Sequence, residues 1–309
     1  MWRLFSAFFL GWSLGANDAS NVFGTAVSSR MVRFWTAALL CAGFAVLGAV
    51  LQGEEGLATY AELSSYGVSV AFVVAMTSAL TVTLMTLFKL PVSTSQAVVG
   101  AMIAAGLFAD GVQWGSLGKV VACWVGTPLG ALVAAMVLYR LLGALLNRLD
   151  LDLFAYDAFL RRGLILAGCW GAYALGANNV ANVTGPFVAS GLISPIMGVW
   201  LGGLAIAAGV LTYSYPVMMT VGKGIVSLNA FSALVVVTAE AVTVHVYAAV
   251  GVPVSTSQAV VGAVLGIGLL RDARTINTRT LGNVALGWLF TPAIAFAFTW
   301  AWLWIERAV

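Results

Sequence analysis

Leu14-Gly15-Ala16-Asn17-Asp18-Ala19-Ser20-Asn21-Val22 returns, with few changes, as Leu175-Gly176-Ala177-Asn178-Asn179-Val180-Ala181-Asn182-Val183. A second pair keeps nearly the same offset. Pro91-Val92-Ser93-Thr94-Ser95-Gln96-Ala97-Val98-Val99-Gly100-Ala101 recurs letter for letter from Pro253 to Ala263. The shifts, 14 to 175 and 91 to 253, make the chain two copies of one unit. What repeats is polar, and what surrounds it is hydrocarbon. Polar groups that a bilayer makes expensive, set in matching positions of two halves, point to a transport site.

Composition agrees. Hydrophobic residues make up 61% of the chain and charged ones 8%, and the mean hydropathy is +1.01. A soluble domain carries about 25% charged residues, so this chain cannot cover a water-facing surface. Helical periods dominate over alternation, which predicts an all-α integral membrane protein rather than a barrel. Cys41, Cys123 and Cys169 are isolated in apolar runs and read as small core residues. The apolar start runs directly into the first repeated motif, which argues against a cleaved leader.

Runs long enough to cross about 30 Å of hydrocarbon fall near 4–29, 34–52, 66–88, 92–109 and 117–142, and again near 163–189, 192–214, 227–250, 254–270 and 281–305. That is about five membrane segments per half. With both termini outside, every Lys and Arg except Arg3, Lys119 and Arg307 faces the cytoplasm. The acidic loop from Glu54 to Glu62 then lies outside. An odd number of crossings per half makes the copies antiparallel, so two inverted-topology repeats are expected, 1–142 and 163–309. The polar stretch 143–162 is the cytoplasmic linker, and its interleaved acids argue against nucleic acid binding. Segment 92–109 is short and opens on a turn, so it reads either as a span or as half of a re-entrant hairpin.

Gly15-Ala16-Asn17-Asp18 combines helix-weakening residues with side chains that compete for the backbone, which predicts a broken helix at mid-membrane. Asn17, Asp18 and Asn21 would project into one site, with Asn178, Asn179 and Asn182 opposite. In Pro91–Gln96 and Pro253–Gln258, proline and the following hydroxyls suit a helix start. Ser93, Thr94 and Ser95, with Ser255, Thr256 and Ser257, then sit where free N–H groups and the positive end of a helix dipole converge. Such a turn cradles an anion without a formal positive charge. Glu240 is a second intramembrane acid, with Thr77-Ser78-Ala79 at the matching place in the first half. His245 reads as a packing histidine. Thr127-Pro128 and Thr291-Pro292, each three residues after a tryptophan, form a third repeated element that either gates or bends its helix. Trp300, Trp302 and Trp304 read as an interfacial belt. No phosphate-binding loop, zinc spacing or nucleophile elbow occurs, so the chain is expected to be no enzyme.

At these residues the chain resembles the inorganic phosphate transporter family, the sodium- or proton-coupled phosphate symporters and their sulfate-permease relatives. The likeness rests on Gly15–Asn21, Gly176–Asn182, Pro91–Gln96 and Pro253–Gln258, with Thr220–Ile225 and the Trp-x-x-Thr-Pro elements in support. It implies phosphate, or else sulfate, as the substrate, held by Ser93, Thr94, Ser95, Gln96, Ser255, Thr256, Ser257 and Gln258. A coupling cation, Na+ or H+, would use Asn17, Asp18, Asn21, Asn178, Asn179, Asn182 and Glu240, with Na+ at Asp18, Asn17, Asn178 and Glu240. No other cofactor is implied. Asn179 stands where the family usually carries Asp, and Gln96 and Gln258 where it often carries His. Losing a carboxylate shifts weight toward sulfate, which has no proton to donate, while keeping Asp18 holds phosphate ahead.

A passive anion channel and a packing role for the repeats are the competing classes. Buried carboxylates argue against the channel, and repetition at a fixed offset argues against mere packing. The plasma membrane is the expected location, the bilayer the main partner, and an assembly of identical copies is compatible with the apolar exterior.

Overall fold

The computed structural model describes residues 1–63, 67–87, 92–109, 111–112, 114–221, 228–271 and 277–308. Lys89, Pro91, Lys223, Arg274 and most of the stretch 220–225 lie outside them. Eleven helices run through the described residues: α1 (Leu4–Ser28), α2 (Phe34–Gln52), α3 (Glu54–Leu63), α4 (Val68–Leu87), α5 (Thr94–Phe108), α6 (Trp114–Leu149), α7 (Leu153–Ala189), α8 (Pro195–Val221), α9 (Ala230–Ala249), α10 (Thr256–Arg271) and α11 (Thr278–Ala308). Six of them, α2, α4, α8, α9 and most of α6 and α11, are long and apolar enough to cross a membrane. The chain is a multi-pass helical membrane protein. Helices α1 and α7, with 25 and 37 residues, have the length as well, but the Asn/Asp motifs dilute their apolar runs.

Several expectations change. Both motif helices run unbroken through Gly15–Asp18 and Gly176–Asn179. The small residues serve close approach instead of unwinding. A Cβ on Gly15 would strike the carbonyl of Ile206 in α8, and one on Gly176 would strike that of Ala45 in α2. Apart from Asn179, the Asn and Asp side chains find partners on other elements and leave the helical backbone intact. The segments near 92–109 and 254–270 form helices shorter than a full span. Helices α5 and α10 have 15 and 16 residues, about 22–24 Å at 1.5 Å per residue, short of the roughly 30 Å needed. The stretch read as an acidic loop is helix α3, whose first turn holds Glu54 and Glu55, where the helix dipole favours acids. The polar stretch between the halves is helical apart from Asp150–Asp152, where Asp150 has a φ of 43° and Asp152 caps α7 through a 2.8 Å bond from Ala155 N.

In a bilayer, packing density rather than water exclusion drives helices together, so small residues mark the contacts. Helix α1 packs on α8, α2 on α7, α5 on α11 and α10 on α6. The last two contacts use the proline elements. Gly100 of α5 lies against the carbonyl of Pro292 in α11, and Gly262 of α10 against that of Pro128 in α6. Each short helix is therefore housed by a long helix of the other half of the sequence. Cys41 and Cys169 are buried and Cys123 half-buried, all unpaired. His245 sits between Trp170 and Tyr173, with ring centroids 6.1 and 5.8 Å away. It packs as expected, although its Nδ1 is buried without a partner. Trp300, Trp302 and Trp304 are exposed, as an interfacial belt requires.

Candidate functional site

Extended backbone at Ser93 leads into α5, and its hydroxyl accepts from Gln96 N at 3.4 Å. Ser255 does the same for α10, accepting from Gln258 N at 3.3 Å. These are ordinary N-caps, and they set the third residue of each motif. The next link is reciprocal. Ser95 Oγ donates to Val254 O at 3.0 Å, and Ser257 Oγ donates to Val92 O at 3.0 Å. The two turns thus grip each other's main chain.

The motif helices complete the network. Asn178 clamps the second turn through both ends of its amide: Nδ2 donates to Val254 O at 2.8 Å, and Oδ1 accepts from Val254 N at 2.9 Å. Asn182 Nδ2 donates to Ser95 Oγ at 3.0 Å and to Asn179 Oδ1 at 2.8 Å. From α1, Asn21 Nδ2 donates to Thr256 Oγ1 at 3.1 Å, and Thr256 Oγ1 donates to Asp18 Oδ2 at 3.2 Å. All of these residues are buried.

Counting protons shows which hydroxyls remain available, since each carries one. Ser95, Ser257 and Thr256 donate as described. Because Ser257 gives its proton to Val92, Ser255 is the donor in the 2.9 Å contact between Ser255 and Ser257. Ser93 accepts at its cap, and Thr94 Oγ1 is buried with no partner. Identical letters therefore play different parts: the first turn keeps two hydroxyl donors, while the second turn's are engaged. The other unpartnered buried atoms here are Asp18 Oδ1, Asn179 Nδ2, Gln96 Oε1 and Gln258 Oε1.

Two predicted residues stand apart. Asn17 Nδ2 donates to Thr86 Oγ1 of α4 at 2.9 Å, whereas its counterpart Asn178 holds the turn. Glu240 is fully buried on α9, with both carboxylate oxygens unpartnered and Gly171 of α7 beside it. It makes no hydrogen bond to the turns, but Gly171 lies against both Glu240 and Val22 of the first motif. Sequence reasoning missed the main-chain groups of Val92 and Val254, which act through the backbone and leave no side-chain signal. It also missed Thr86, whose matching position in the second half is Ala248.

The donor set suits a hard cation. Among the described residues no cluster of three or more His, Cys, Asp or Glu could hold a metal ion. What the site offers is carboxylate, amide and hydroxyl oxygen, which selects against soft metals. None of the fifteen named residues is Lys, Arg or His. Among the described residues the ion pair present is Arg161–Asp157 at 3.8 Å, on the exposed start of α7. Among the described residues the two buried carboxylates thus have no fixed positive partner.

A model of the phosphate transporter family matches residues 14–299, which contain all four motif copies. A relative from Methanocaldococcus jannaschii, named "Putative phosphate permease MJ0630", is 29% identical over 293 residues, covering 95% of this chain and 93% of its own. Sulfate permease CysP of Bacillus subtilis is 28% identical over 298 residues, covering 94% and 83%. A solved structure described as the sodium-dependent phosphate transporter superposes with a TM-score of 0.90 at 25% identity over the whole of both chains. On the span of that match and the two motif pairs it encloses, the chain belongs to the phosphate transporter family.

Proposed function

We propose that this chain is a secondary symporter that moves inorganic phosphate across the plasma membrane together with a cation, by alternating access. The observation that carries the reading is the charge inventory of the site. Two turns that grip each other's main chain carry hydroxyl donors, one of which reaches Asp18; Glu240 is buried as well, and among the described residues no Lys or Arg pairs with either acid. An oxyanion entering such a site adds negative charge to buried carboxylates, which is tolerable only with cations or protons brought along. Thr256 makes the link physical, because its hydroxyl belongs to an anion turn and donates to Asp18. Asp18 Oδ1 is free to take a cation or to accept the proton of HPO4²⁻. A structural relative described as sodium-dependent supports Na+ over H+ as the coupling ion.

Alternating access and an inverted repeat are supported by the reciprocity of the contacts. Gly15 meets Ile206 and Gly176 meets Ala45, and both pairs of positions differ by 161 (15 to 176, 45 to 206). The exchange between Ser95–Val254 and Ser257–Val92 follows the same logic. We place the repeats at 1–142 and 163–309 with the termini outside. Proteoliposomes given labelled phosphate under separate Na+ and H+ gradients test the proposal. Gradient-driven accumulation is expected; downhill flux indifferent to both gradients would make the protein a channel.

One observation favours sulfate as a second reading. Asn179 Nδ2 is an unpartnered buried donor where a carboxylate would accept, and a relative of this chain is named a sulfate permease. Labelled sulfate in the same vesicles decides between the two.

A further inference from the structure

Four of the buried polar atoms without partners fall into two matching sets. Gln96 Oε1 and Gln258 Oε1 are acceptors without donors, and Trp288 Nε1 and Trp124 Nε1 are donors without acceptors. The helix registers show how they are arranged. Helix α5 lies parallel to α11: Gly100 meets Pro292, and one end further on the rings of Phe108 and Trp300 lie 5.8 Å apart. Both pairs differ by 192 in number (100 to 292, 108 to 300), so the register holds over two turns. One turn back along the same faces stand Gln96 and Trp288, again 192 apart.

The other half repeats the arrangement. Gly262 meets Pro128 and Gly266 meets Leu132, each pair differing by 134 (128 to 262, 132 to 266). One turn back stand Gln258 and Trp124, again 134 apart. By register, an indole donor and a glutamine acceptor without partners therefore stand at the same level in each half. A sealed indole N–H seeks an acceptor, and a sealed amide oxygen a donor.

We propose that in the working transporter Trp288 donates its indole N–H to Gln96 Oε1, and Trp124 donates to Gln258 Oε1. An amide pinned at its oxygen must turn its NH2 the other way. Each tryptophan thereby aims a glutamine NH2 donor at the anion held by the adjoining Ser-Thr-Ser turn. Trp288 and Trp124 are positioning residues, and their role rests on the anion site proposed above. The third repeated element, Trp-x-x-Thr-Pro, gains a purpose from this: the proline carbonyl sets the helix contact, and the tryptophan one turn earlier sets the amide.

The test combines binding with a spectroscopic signature. W288F keeps an aromatic ring but removes the donor, and is expected to weaken phosphate binding to the purified protein by roughly three- to tenfold, the effect of one lost hydrogen bond. On a Q96A background, W288F should add nothing, because the two residues act as one unit. W124F and Q258A should behave likewise. Additive effects, or a lower unfolding temperature with unchanged affinity, would overturn the assignment. The infrared N–H stretch of Trp288 reports the bond without any anion: it should rise in frequency in Q96L, and an unchanged frequency refutes the pairing. If wild type binds neither phosphate nor sulfate, the functional reading fails, while the N–H stretch still decides the Trp–Gln bond.

Discussion

Thr94 and Thr256 are the middle residues of two identical motifs, and the structure assigns them unlike energies. Thr256→Val removes a hydroxyl at nearly constant shape. It takes a donor from Asp18 Oδ2 at 3.2 Å and an acceptor from Asn21 Nδ2 at 3.1 Å. A hydrogen bond to a charged group contributes about 1.5–3 kcal/mol and a neutral one about 0.5–1.5 kcal/mol, so the loss sums to about 2–4.5 kcal/mol. Thr94→Val removes a buried hydroxyl with no partner. Its cost is below about 0.5 kcal/mol, and relief of an unsatisfied polar group can make it stabilising. Unfolding of the detergent-solubilised protein, followed by tryptophan fluorescence, measures both. Thr256→Val is expected to unfold at clearly lower temperature or denaturant than wild type, and Thr94→Val is not. Phosphate binding should show the complement, with Thr94→Val weakening affinity in a fully stable protein. Equal destabilisation by the two substitutions would refute the hydrogen-bond assignment that separates the turns.

Asp18→Asn should abolish cation-driven accumulation in proteoliposomes while the protein still folds; full accumulation in that variant would remove Asp18 from the coupling site. Glu240→Gln has no hydrogen bond to lose, so it should leave the unfolding temperature unchanged or raised and alter the dependence of uptake on cation concentration. An unchanged cation dependence would confine Glu240 to packing. Asn179→Asp restores a carboxylate at the second motif and is expected to raise the uptake of phosphate relative to sulfate, as measured by competition between the two labelled anions; a fall in that ratio contradicts the role assigned to this position. Gly176→Val drives a side chain into the Ala45 carbonyl and should cost more than about 3 kcal/mol, the range of severe overpacking, seen as loss of folded protein on size-exclusion chromatography; a well-folded variant would mean that α2 and α7 can separate.

The polar repeats were legible because a bilayer leaves few reasons for Asn, Asp and Ser-Thr-Ser to occur twice at one offset. The caps at Ser93 and Ser255 followed from the same letters. The helix break did not, since Gly15 and Asn17 weaken a helix only if nothing else uses them, and here α8 uses the glycine and Thr86 the asparagine. Helix α3 was hidden by Glu54 and Glu55, which look like loop residues until the dipole at a helix start is counted. The unlike roles of Asn17 and Asn178, or of Thr94 and Thr256, depend on neighbours from distant segments. No reading of identical motifs could separate them. The pairing of α5 with α11 and of α10 with α6 likewise belongs to tertiary packing alone.

That pairing has a consequence for how the protein is made. Helix α5 emerges from the ribosome long before α11, since everything between Phe108 and Thr278 must be synthesised first. Until then a helix of 15 residues, with a polar turn at its start, has no groove to lie in. Its counterpart α10 meets no such delay, because α6 is already in place when Thr256 is reached. Biogenesis of two near-identical elements is therefore unequal: the second docks as it is born, and the first waits for the final helix of the chain to seat it.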